Sequence, residues 1–312
     1  MVIQNKYVRF KKIKLIEVTN ALGLKVVFCS FGAAIKGIYL DNELLTDQEN
    51  ELKKFMFSSS YNGKTVGRTC GRIKDGIFKI GQDVYQVRKK DKNSLHGGIK
   101  SFSYRNFKTY VEENDSFYQI NFSRISKDKE EGYPGNLSLN VKYTVYKNQN
   151  KIDVEFKAIS DKDTICNLTN HNYWSLGEED VSKIKLTVDA SKYVEVDKDL
   201  LFVKEDKVNK IYDFRKGKQI IKDYEEVEKT VVGTYDTDFI LDKKKEYDSI
   251  LEGSKYLLKV KSTYPILHVY SPRPFKGVAI ECEGKAYDNE SLILEENKFY
   301  KEYISYEIER RK

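Results

Sequence analysis

Residues 137–158 carry the clearest structural signal in the chain. Apolar side chains occupy every second position of residues 137–145 and again of residues 152–158, with polar side chains between them. A strand alternates its side chains between two faces, whereas a helix would need apolar residues every three or four positions. The short polar segment Lys147–Asn150 separates the two runs. The runs therefore predict a β-hairpin with one buried and one solvent-facing side.

The same alternation recurs through most of the chain and predicts an antiparallel β fold. Further strands are predicted at Ile13–Val18, Leu24–Ser30, Ile77–Ile80, Tyr118–Phe122, Ile184–Val188, Tyr256–Val260, Ile266–Tyr270 and Val278–Cys282. Helical periodicity is confined to short segments near Asp47–Lys54 and Lys222–Lys229. The lack of a long β-α-β alternation argues against a parallel nucleotide-binding sheet. Since no linker divides the chain, we expect residues 1–312 to form one large all-β domain.

Charge and cysteine usage exclude several classes of protein. The net charge of +7 is spread over short mixed patches, without the basic stripe of a nucleic-acid-binding protein. The N-terminal residues do not form a signal peptide, and no apolar run reaches membrane length. The four cysteines lie far apart, so a zinc cluster or a disulfide framework is unsupported. We expect a cytoplasmic protein that binds neither nucleic acid nor membrane.

The three histidines lie in distinctive surroundings. His171 is part of "TNHNYW", which also holds the only tryptophan, and His96 precedes a Gly-Gly pair in "NSLHGG". Polar donors beside large aromatic rings suit the wall of a sugar site. A lone histidine is more often a packing or surface residue, however, and His268 in "ILHVYS" could face either solvent or a site.

Two segments contain paired carboxylates. From "YDTDF" we expect a single functional carboxylate, Asp236 or Asp238, rather than a metal-binding pair, and a solvated strand end is an equal alternative. In "AIECEG", alternation places Glu281 and Glu283 on one face of a strand. That face could be exposed to water, or it could line a cleft in which one carboxylate serves as a general base.

The glycine-rich segment "GRTCGRIKDGIFKIG" contains two arginines four residues apart. Glycines let a backbone approach a ligand closely, and arginine offers permanently charged donors. Taken alone, the segment favours a surface loop in which Arg68 and Arg72 are solvated.

The order of these motifs carries more information than each motif does. The succession of the arginine segment, "NSLHGG", "TNHNYW", "YDTDF" and "ECE" closely resembles the aldose 1-epimerase family, also called galactose mutarotases, over residues 24–295. The resemblance implies a large β-sandwich of the supersandwich type. It also implies an enzyme that interconverts the α and β anomers of a monosaccharide, such as galactose or glucose, without a cofactor or a metal.

The resemblance assigns catalytic roles to three residues. Glu281 corresponds to the general base, His171 to the general acid, and His96 to the histidine that binds near the ring oxygen and the C1 hydroxyl. Ring opening removes a proton from the C1 hydroxyl and adds one to the ring oxygen. An ionised glutamate and a protonated imidazole suit this exchange near neutral pH.

The resemblance also assigns residues that hold the sugar. Arg72 and Asp236 correspond to residues that bind sugar hydroxyls, and Tyr173 or Trp174 is available for the apolar face of the ring. This chain departs from many relatives at three places. Gly71 stands where they have asparagine, "ECE" replaces their "E-x-Q", and "AYDNE" replaces their "PDA-x-N". These departures leave the preferred sugar open.

Three alternative functions remain at this point. The chain could be a sugar-binding regulator without turnover, an epimerase of a phosphorylated hexose, or a glycosidase that uses Glu281 with a second carboxylate. A monomer and a homodimer are equally compatible with the sequence.

Overall fold

The computed structural model describes residues 1–8 and 11–311, and their secondary structure is dominated by β-strands. The strands of the first half are β1 (Val2–Val8), β2 (Lys11–Thr19), β3 (Leu24–Cys29), β4 (Ala34–Leu40), β5 (Glu43–Leu44), β6 (Thr65–Val66), β7 (Arg72–Ile73), β8 (Ile77–Ile80), β9 (Asp83–Gln86), β10 (Ser94–Leu95), β11 (Lys108–Glu113), β12 (Phe117–Ser126), β13 (Leu137–Tyr146) and β14 (Lys151–Ser160). Those of the second half are β15 (Thr164–Ile165), β16 (Thr169–Asn170), β17 (Tyr173–Trp174), β18 (Lys185–Val188), β19 (Ala190–Val196), β20 (Phe202–Lys207), β21 (Lys218–Gln219), β22 (Tyr235–Leu241), β23 (Ser249–Glu252), β24 (Tyr256–Ser262), β25 (Ile266–Ser271), β26 (Val278–Glu283), β27 (Ile293–Leu294) and β28 (Phe299–Arg310). The all-β prediction is confirmed.

Helices are short. The α-helices are α1 (Leu52–Phe57) and α2 (Tyr224–Val227), and 3-10 turns occupy Lys74–Gly76, Phe102–Tyr104, Glu130–Gly132, Val181–Lys183, Ile220–Asp223 and Glu290–Leu292. Helix α1 begins five residues after the start of the predicted segment, and the backbone N–H of Asp47 donates instead to the Tyr173 carbonyl. Across the described residues, none of the helices has the length and apolar character needed to cross a bilayer.

Three large antiparallel sheets enclose the core. Their strand orders are β11-β12-β13-β14-β28-β24-β23-β18-β21, β17-β26-β25-β22-β19-β20 and β1-β2-β3-β4-β5. Trp174 of the six-stranded sheet packs on Tyr306 of the nine-stranded sheet, with ring centroids 5.1 Å apart. Phe28 of the five-stranded sheet meets Tyr143 of the nine-stranded sheet at 5.0 Å. Buried aromatic and aliphatic side chains from all three sheets therefore form one continuous core.

The strand positions predicted from the alternation of apolar and polar residues agree with the observed strands. The hairpin predicted at residues 137–158 is β13–β14, in which Val145 pairs with Ile152 and Leu139 with Ala158. Each of the other eight predicted strands overlaps an observed strand, and the ends differ by a few residues. Period-2 patterning is a reliable guide here because most strands have one face in the core.

The six-stranded sheet positions the functional side chains. Strand β25 pairs with β22 on one side and β26 on the other, so that His268 lies opposite both Asp238 and Glu281. Residues directly opposite each other on antiparallel strands project to the same face. The other face of these strands carries core residues such as Phe239, Leu267 and Ile280. One side of the sheet is therefore apolar, and the opposite side gathers ionisable groups.

Candidate active site

A cavity of about 760 Å³ lies over the ionisable face of the six-stranded sheet. Its volume is within the usual range for small-molecule sites. Six of the seven predicted site residues line it, namely Arg72, His96, His171, Tyr173, Asp236 and Glu281. Tyr61 and Tyr270 also line the cavity, although the sequence analysis named neither of them. Tyr270 lies two residues after His268 in "ILHVYS", so strand alternation places both side chains on one face, whereas Tyr61 lies in no such motif.

His171 and Glu281 form the centre of the cavity. The His171 Nε2 atom lies 3.1 Å from Glu281 Oε1, and both side chains are almost fully buried. His171 follows the short strand β16, and its backbone N–H donates a hydrogen bond to the Lys64 carbonyl. Among the residues that the structure describes, the buried His171 Nδ1 and Glu281 Oε2 atoms have no hydrogen-bond partner. Since buried polar atoms are normally paired, these two atoms are available to a polar ligand.

His96 lies beside His171. The two imidazole rings meet edge to face at 5.4 Å, and Tyr61 packs against both of them. The backbone N–H of His96 donates to the Gly71 carbonyl. The buried Nδ1 atom of its ring has no hydrogen-bond partner within residues 1–8 and 11–311. Gly97 follows with φ 83°, and a Cβ there would lie 2.1 Å from the Gly67 carbonyl oxygen. The glycine after His96 is therefore required for this turn.

Burial sets the protonation of the central pair. It raises the pKa of Glu281 to about 7, and the negative charges of Asp236 and Asp238 also favour the protonated form. Burial lowers the pKa of His171 to about 3, and the nearby positive charge of His268 acts in the same direction. The pKa of His96 also falls well below its usual value because the ring is buried. At neutral pH, His171 is thus uncharged, and Glu281 keeps a proton far more readily than an exposed glutamate does.

His268, whose orientation the sequence left open, faces the cavity. Its Nδ1 atom lies 2.6 Å from Asp238 Oδ1, and its Nε2 atom lies 3.3 Å from Asp236 Oδ1. Burial disfavours the charged ring, but the hydrogen bonds with Asp236 and Asp238 outweigh it and raise the pKa of His268 well above its usual value.

The expectation of a single functional carboxylate in "YDTDF" is wrong. Residues two apart on a strand share a face, so Asp236 and Asp238 both enter the cavity and both contact His268. Glu281 and Glu283 likewise share the cavity face of β26, as alternation predicted. Burial raises the pKa of Glu283 well above its usual value, with the charge of Asp238 as the next cause. One wall of the cavity thus contains four carboxyl groups.

The two arginines of the glycine-rich segment have different surroundings, and the surface-loop interpretation is wrong. Arg72 lines the cavity and lies 3.7 Å from Asp236. Arg68 is 2 % exposed and donates to side-chain and carbonyl oxygens of residues 126–127, 134–135 and 164. Gly71, with φ 71°, lies against Ala286, where a Cβ would approach the Ala286 Cβ to 2.3 Å. Arg72 is therefore brought to the cavity by a turn that Arg68 anchors.

The prediction that Trp174 is available to the sugar is wrong. Strand alternation directs Tyr173 to the cavity and Trp174 to the core, where Trp174 is fully buried against Tyr306. Trp174 therefore cannot contact a sugar in the cavity. Tyr173 lies beside His171, with ring centroids 5.1 Å apart, and remains available for the apolar face of a sugar.

Replacing Trp174 by phenylalanine should therefore affect stability rather than sugar binding. We expect the free energy of unfolding to fall by about 1–2 kcal/mol, because core volume is lost. The buried indole N–H has no hydrogen-bond partner among the described residues, so none of their hydrogen bonds is lost with it. Denaturant unfolding measures the first effect, and KM for an aldose should stay within about twofold of wild type. The Tyr173→Leu variant should show the reverse pattern, and a raised KM in Trp174→Phe alone would contradict the placement.

Two groups of side chains have donor atoms close enough together to hold a metal ion. His96, His171 and Glu281 form one group, and the possible donor atoms within it lie within 4.8 Å of one another. Asp238, His268 and Glu283 form the other, with the same limit. Each group contains a direct contact of hydrogen-bond length, so shared protons account for both arrangements. We assign neither group as a metal site.

Comparisons with known proteins agree with this geometry. A sequence model of the family described as aldose 1-epimerase matches residues 14–307. The galactose mutarotase of Sus scrofa is 30% identical over 251 residues, covering 77% of this chain and 71% of that protein. The aldose 1-epimerase of Haemophilus influenzae is 29% identical over 296 residues, covering 90% and 85%. The crystal structure of galactose 1-epimerase from Lactobacillus acidophilus has the same fold, with a TM-score of 0.91 and 24% identity over the full length of both chains.

The fold and the comparisons therefore define an isomerase that acts on the anomeric carbon of aldoses. The chain belongs to the aldose 1-epimerase family, and the sandwich of the galactose mutarotase type that the resemblance implied is confirmed.

Proposed function

We propose that this cavity interconverts the anomers of a free, uncharged hexose, with Glu281 and His171 as the proton-exchanging pair. The observation that carries the proposal is the 3.1 Å contact between two buried groups of opposite chemistry, each of which keeps one unpartnered atom. A sugar hydroxyl can donate to Glu281, and a sugar oxygen can accept from His171.

The resting protonation state of Glu281 and His171 differs from the ionised glutamate and protonated imidazole that the resemblance led us to expect. The pKa values of about 7 for Glu281 and about 3 for His171 favour a neutral pair that shares a single proton on the glutamate side. Transfer of that proton along the Nε2–Oε1 contact produces the ionised glutamate and the imidazolium that the reaction needs. The ion pair is thus a form reached by internal transfer, and it carries the same number of protons as the resting pair.

The reaction is balanced with these two groups. The Glu281 carboxylate takes the proton of the C1 hydroxyl while the bond between C1 and the ring oxygen breaks and the ring oxygen takes the His171 proton. The open-chain aldehyde rotates about the C1–C2 bond, and the reverse transfers close the ring on the other face of C1. Both groups end as they began. His96 would bind beside C1, and Arg72 with Asp236 would fix the remaining hydroxyls.

The charge of the cavity favours a sugar without a phosphate. Five carboxyl groups line the cavity, namely the four on the sheet wall and that of Asp47. Of the described residues that line it, Arg72 and Lys74 are the ones with arginine or lysine side chains. Arg72 already lies 3.7 Å from Asp236, so a phosphate dianion would have to compete with that carboxylate for the arginine, and the phosphorylated-hexose alternative is disfavoured. The complete acid–base pair likewise gives no reason to prefer a binding module without turnover.

Polarimetry tests the proposal. We expect catalytic amounts of protein to accelerate the relaxation of freshly dissolved α-glucose or α-galactose, and to leave α-glucose 6-phosphate close to the buffer rate. Relaxation of both free sugars at the buffer rate would exclude them as substrates. Faster relaxation of the phosphorylated sugar than of the free sugars would contradict the argument from charge.

The pH dependence should reflect the shared proton. Because the pair must hold one proton, kcat/KM should fall as the pH rises through about 7, where Glu281 loses it. The decline should approach tenfold per pH unit above that value. Initial rates between pH 5 and pH 9, corrected for the buffer reaction, measure the profile. A rate that rises through pH 7 would rule out this proton inventory.

A further inference from the structure

His268 occupies the centre of the charged wall. It lies on the middle strand of β22-β25-β26, with Asp238 as its partner on one side and Glu281 on the other. The side chain is 17% exposed, so water has little access to it. The titratable or charged side chains that face it from the neighbouring strands and loops are Asp236, Asp238, Glu281, Glu283, Arg72, His96 and His171.

Both ring nitrogens of His268 meet carboxylate oxygens. Nδ1 lies 2.6 Å from Asp238 and Nε2 lies 3.3 Å from Asp236. An ionised carboxylate only accepts hydrogen bonds, and a neutral imidazole has a single N–H. Two simultaneous contacts with ionised carboxylates therefore require a ring with both nitrogens protonated, which is a cation.

We propose that His268 is a permanent imidazolium that separates the roles of the neighbouring carboxylates. It holds Asp236 ionised and oriented for sugar hydroxyls, and leaves Glu281 as the group that exchanges protons. This inference rests on the proposed function, in which Asp236 binds hydroxyls and Glu281 moves a proton. His268 is a positioning residue in this scheme, because it acts through Asp236 and Glu281.

The contacts of the two carboxylates support this division. Asp236 has cations on both sides, since one oxygen faces His268 and the other lies 3.7 Å from Arg72. Burial favours the protonated form of Asp236, yet the contacts with His268 and Arg72 hold its pKa below the usual value. One oxygen of Glu281 has no hydrogen-bond partner in the described part of the chain, and burial raises the pKa of this carboxyl group. Asp236 and Glu281 thus differ in proton affinity because only Asp236 lies between two cationic side chains.

Spectroscopy of the wild-type protein tests the charge without reference to catalysis. The chain has three histidines, so ¹⁵N-detected imidazole spectra contain three ring systems, and the His268→Gln variant identifies the one that is lost. We expect His268 to show both nitrogens protonated at pH 8, while His96 and His171 stay neutral at pH 6. A neutral His268 ring at pH 8 would overturn the proposal.

Kinetics test the positioning role. In the His268→Gln variant we expect KM for the aldose to rise about tenfold, because Asp236 loses its clamp. We also expect the alkaline limb of kcat/KM to move up by about one pH unit, because removal of a nearby cation raises the pKa of Glu281. The His268→Lys variant keeps a positive charge, so its limb should stay near that of wild type although its KM rises.

The outcomes separate this inference from the proposed function. Unchanged KM and limb in a folded His268→Gln protein, or an equally shifted limb in His268→Lys, would overturn the role of His268. Wild-type protein without any epimerase activity would instead remove the proposed function, and the imidazole spectra would still decide the charge of His268. Circular dichroism of both variants establishes that they are folded.

Discussion

Replacing Glu281 by glutamine is expected to abolish most of the epimerase activity while making the protein more stable at alkaline pH. Proton transfer by a positioned side chain typically contributes about 10²–10⁴-fold to a rate, so kcat should fall by roughly 10³. KM should change much less, because the amide keeps the shape of the carboxyl group and can still contact His171. Polarimetry at saturating sugar measures the loss.

The stability effect follows from the raised pKa of Glu281. A carboxyl group whose pKa is about 7 in the folded state and near 4.5 in the unfolded state binds its proton more tightly when folded. Its contribution to stability is complete below pH 4.5 and is lost as the pH rises through 7, at about 1.4 kcal/mol per pKa unit. Glutamine cannot ionise and avoids that loss. We therefore expect Glu281→Gln to gain up to about 3 kcal/mol at pH 8 and almost nothing at pH 4.5.

Denaturant unfolding of wild type and variant at pH 4.5 and pH 8 provides the measurement. Glu309→Gln is the matched control, because Glu309 is a half-exposed glutamate on β28 whose pairing with Lys259 is remote from the cavity. The control should retain activity and show no stability gain at pH 8. Equal stability of Glu281→Gln and wild type at both pH values would show that Glu281 is not strained by burial, and undiminished kcat would remove it from the chemistry.

Replacing Arg68 by leucine is expected to destabilise the protein strongly without altering the chemistry of the folded fraction. Arg68 is buried, and its guanidinium donates to carbonyl oxygens of Pro134, Gly135, Ser126 and Lys127. Leucine would leave these oxygens without their donor in a site that water barely reaches. Each unsatisfied buried group costs about 1–3 kcal/mol, so we expect a loss of about 3–5 kcal/mol and a Tm lower by roughly 10 °C.

Arg72 provides the contrast, since it lies four residues further along the same segment. Arg72→Leu should change Tm by no more than about 2 °C and lower kcat/KM by roughly ten- to a hundredfold, because a donor to the sugar is lost. Thermal unfolding and polarimetry well below Tm separate the two phenotypes. If Arg68→Leu kept the wild-type Tm, or if the folded variant lost activity as Arg72→Leu does, the division between anchor and ligand-binding arginine would be wrong.

Local pattern predicted those parts of the site that lie on regular strands. Alternation placed Glu281 and Glu283 on one face of β26, and that face lines the cavity. The same rule applied to "YDTDF" places Asp236 and Asp238 together, so the expectation of a single carboxylate departed from information that the sequence contained. The resemblance to known epimerases supplied His96 and His171, which lie outside long strands and have no periodicity to reveal them.

Other features depended on contacts between distant segments. Arg68 and Arg72 have similar local sequence. Arg68 is nevertheless buried against residues 126–135, whereas Arg72 lines the cavity. Trp174 and Tyr173 are adjacent in a motif that suits a sugar wall, and only the packing of Trp174 on Tyr306 removes it from the site. The charge of His268 depends on carboxylates thirty residues away in the chain.

The amino-acid sequence by itself determined that the chain forms antiparallel strands, and which side chains share a face, because those properties follow from the two-residue period of an extended backbone. The tertiary structure decided which faces became core and which became cavity, because burial depends on the sheet or loop that covers a face. It also decided the proton affinities of Glu281, His171 and His268, since these arise from desolvation and from neighbouring charges that meet only after folding.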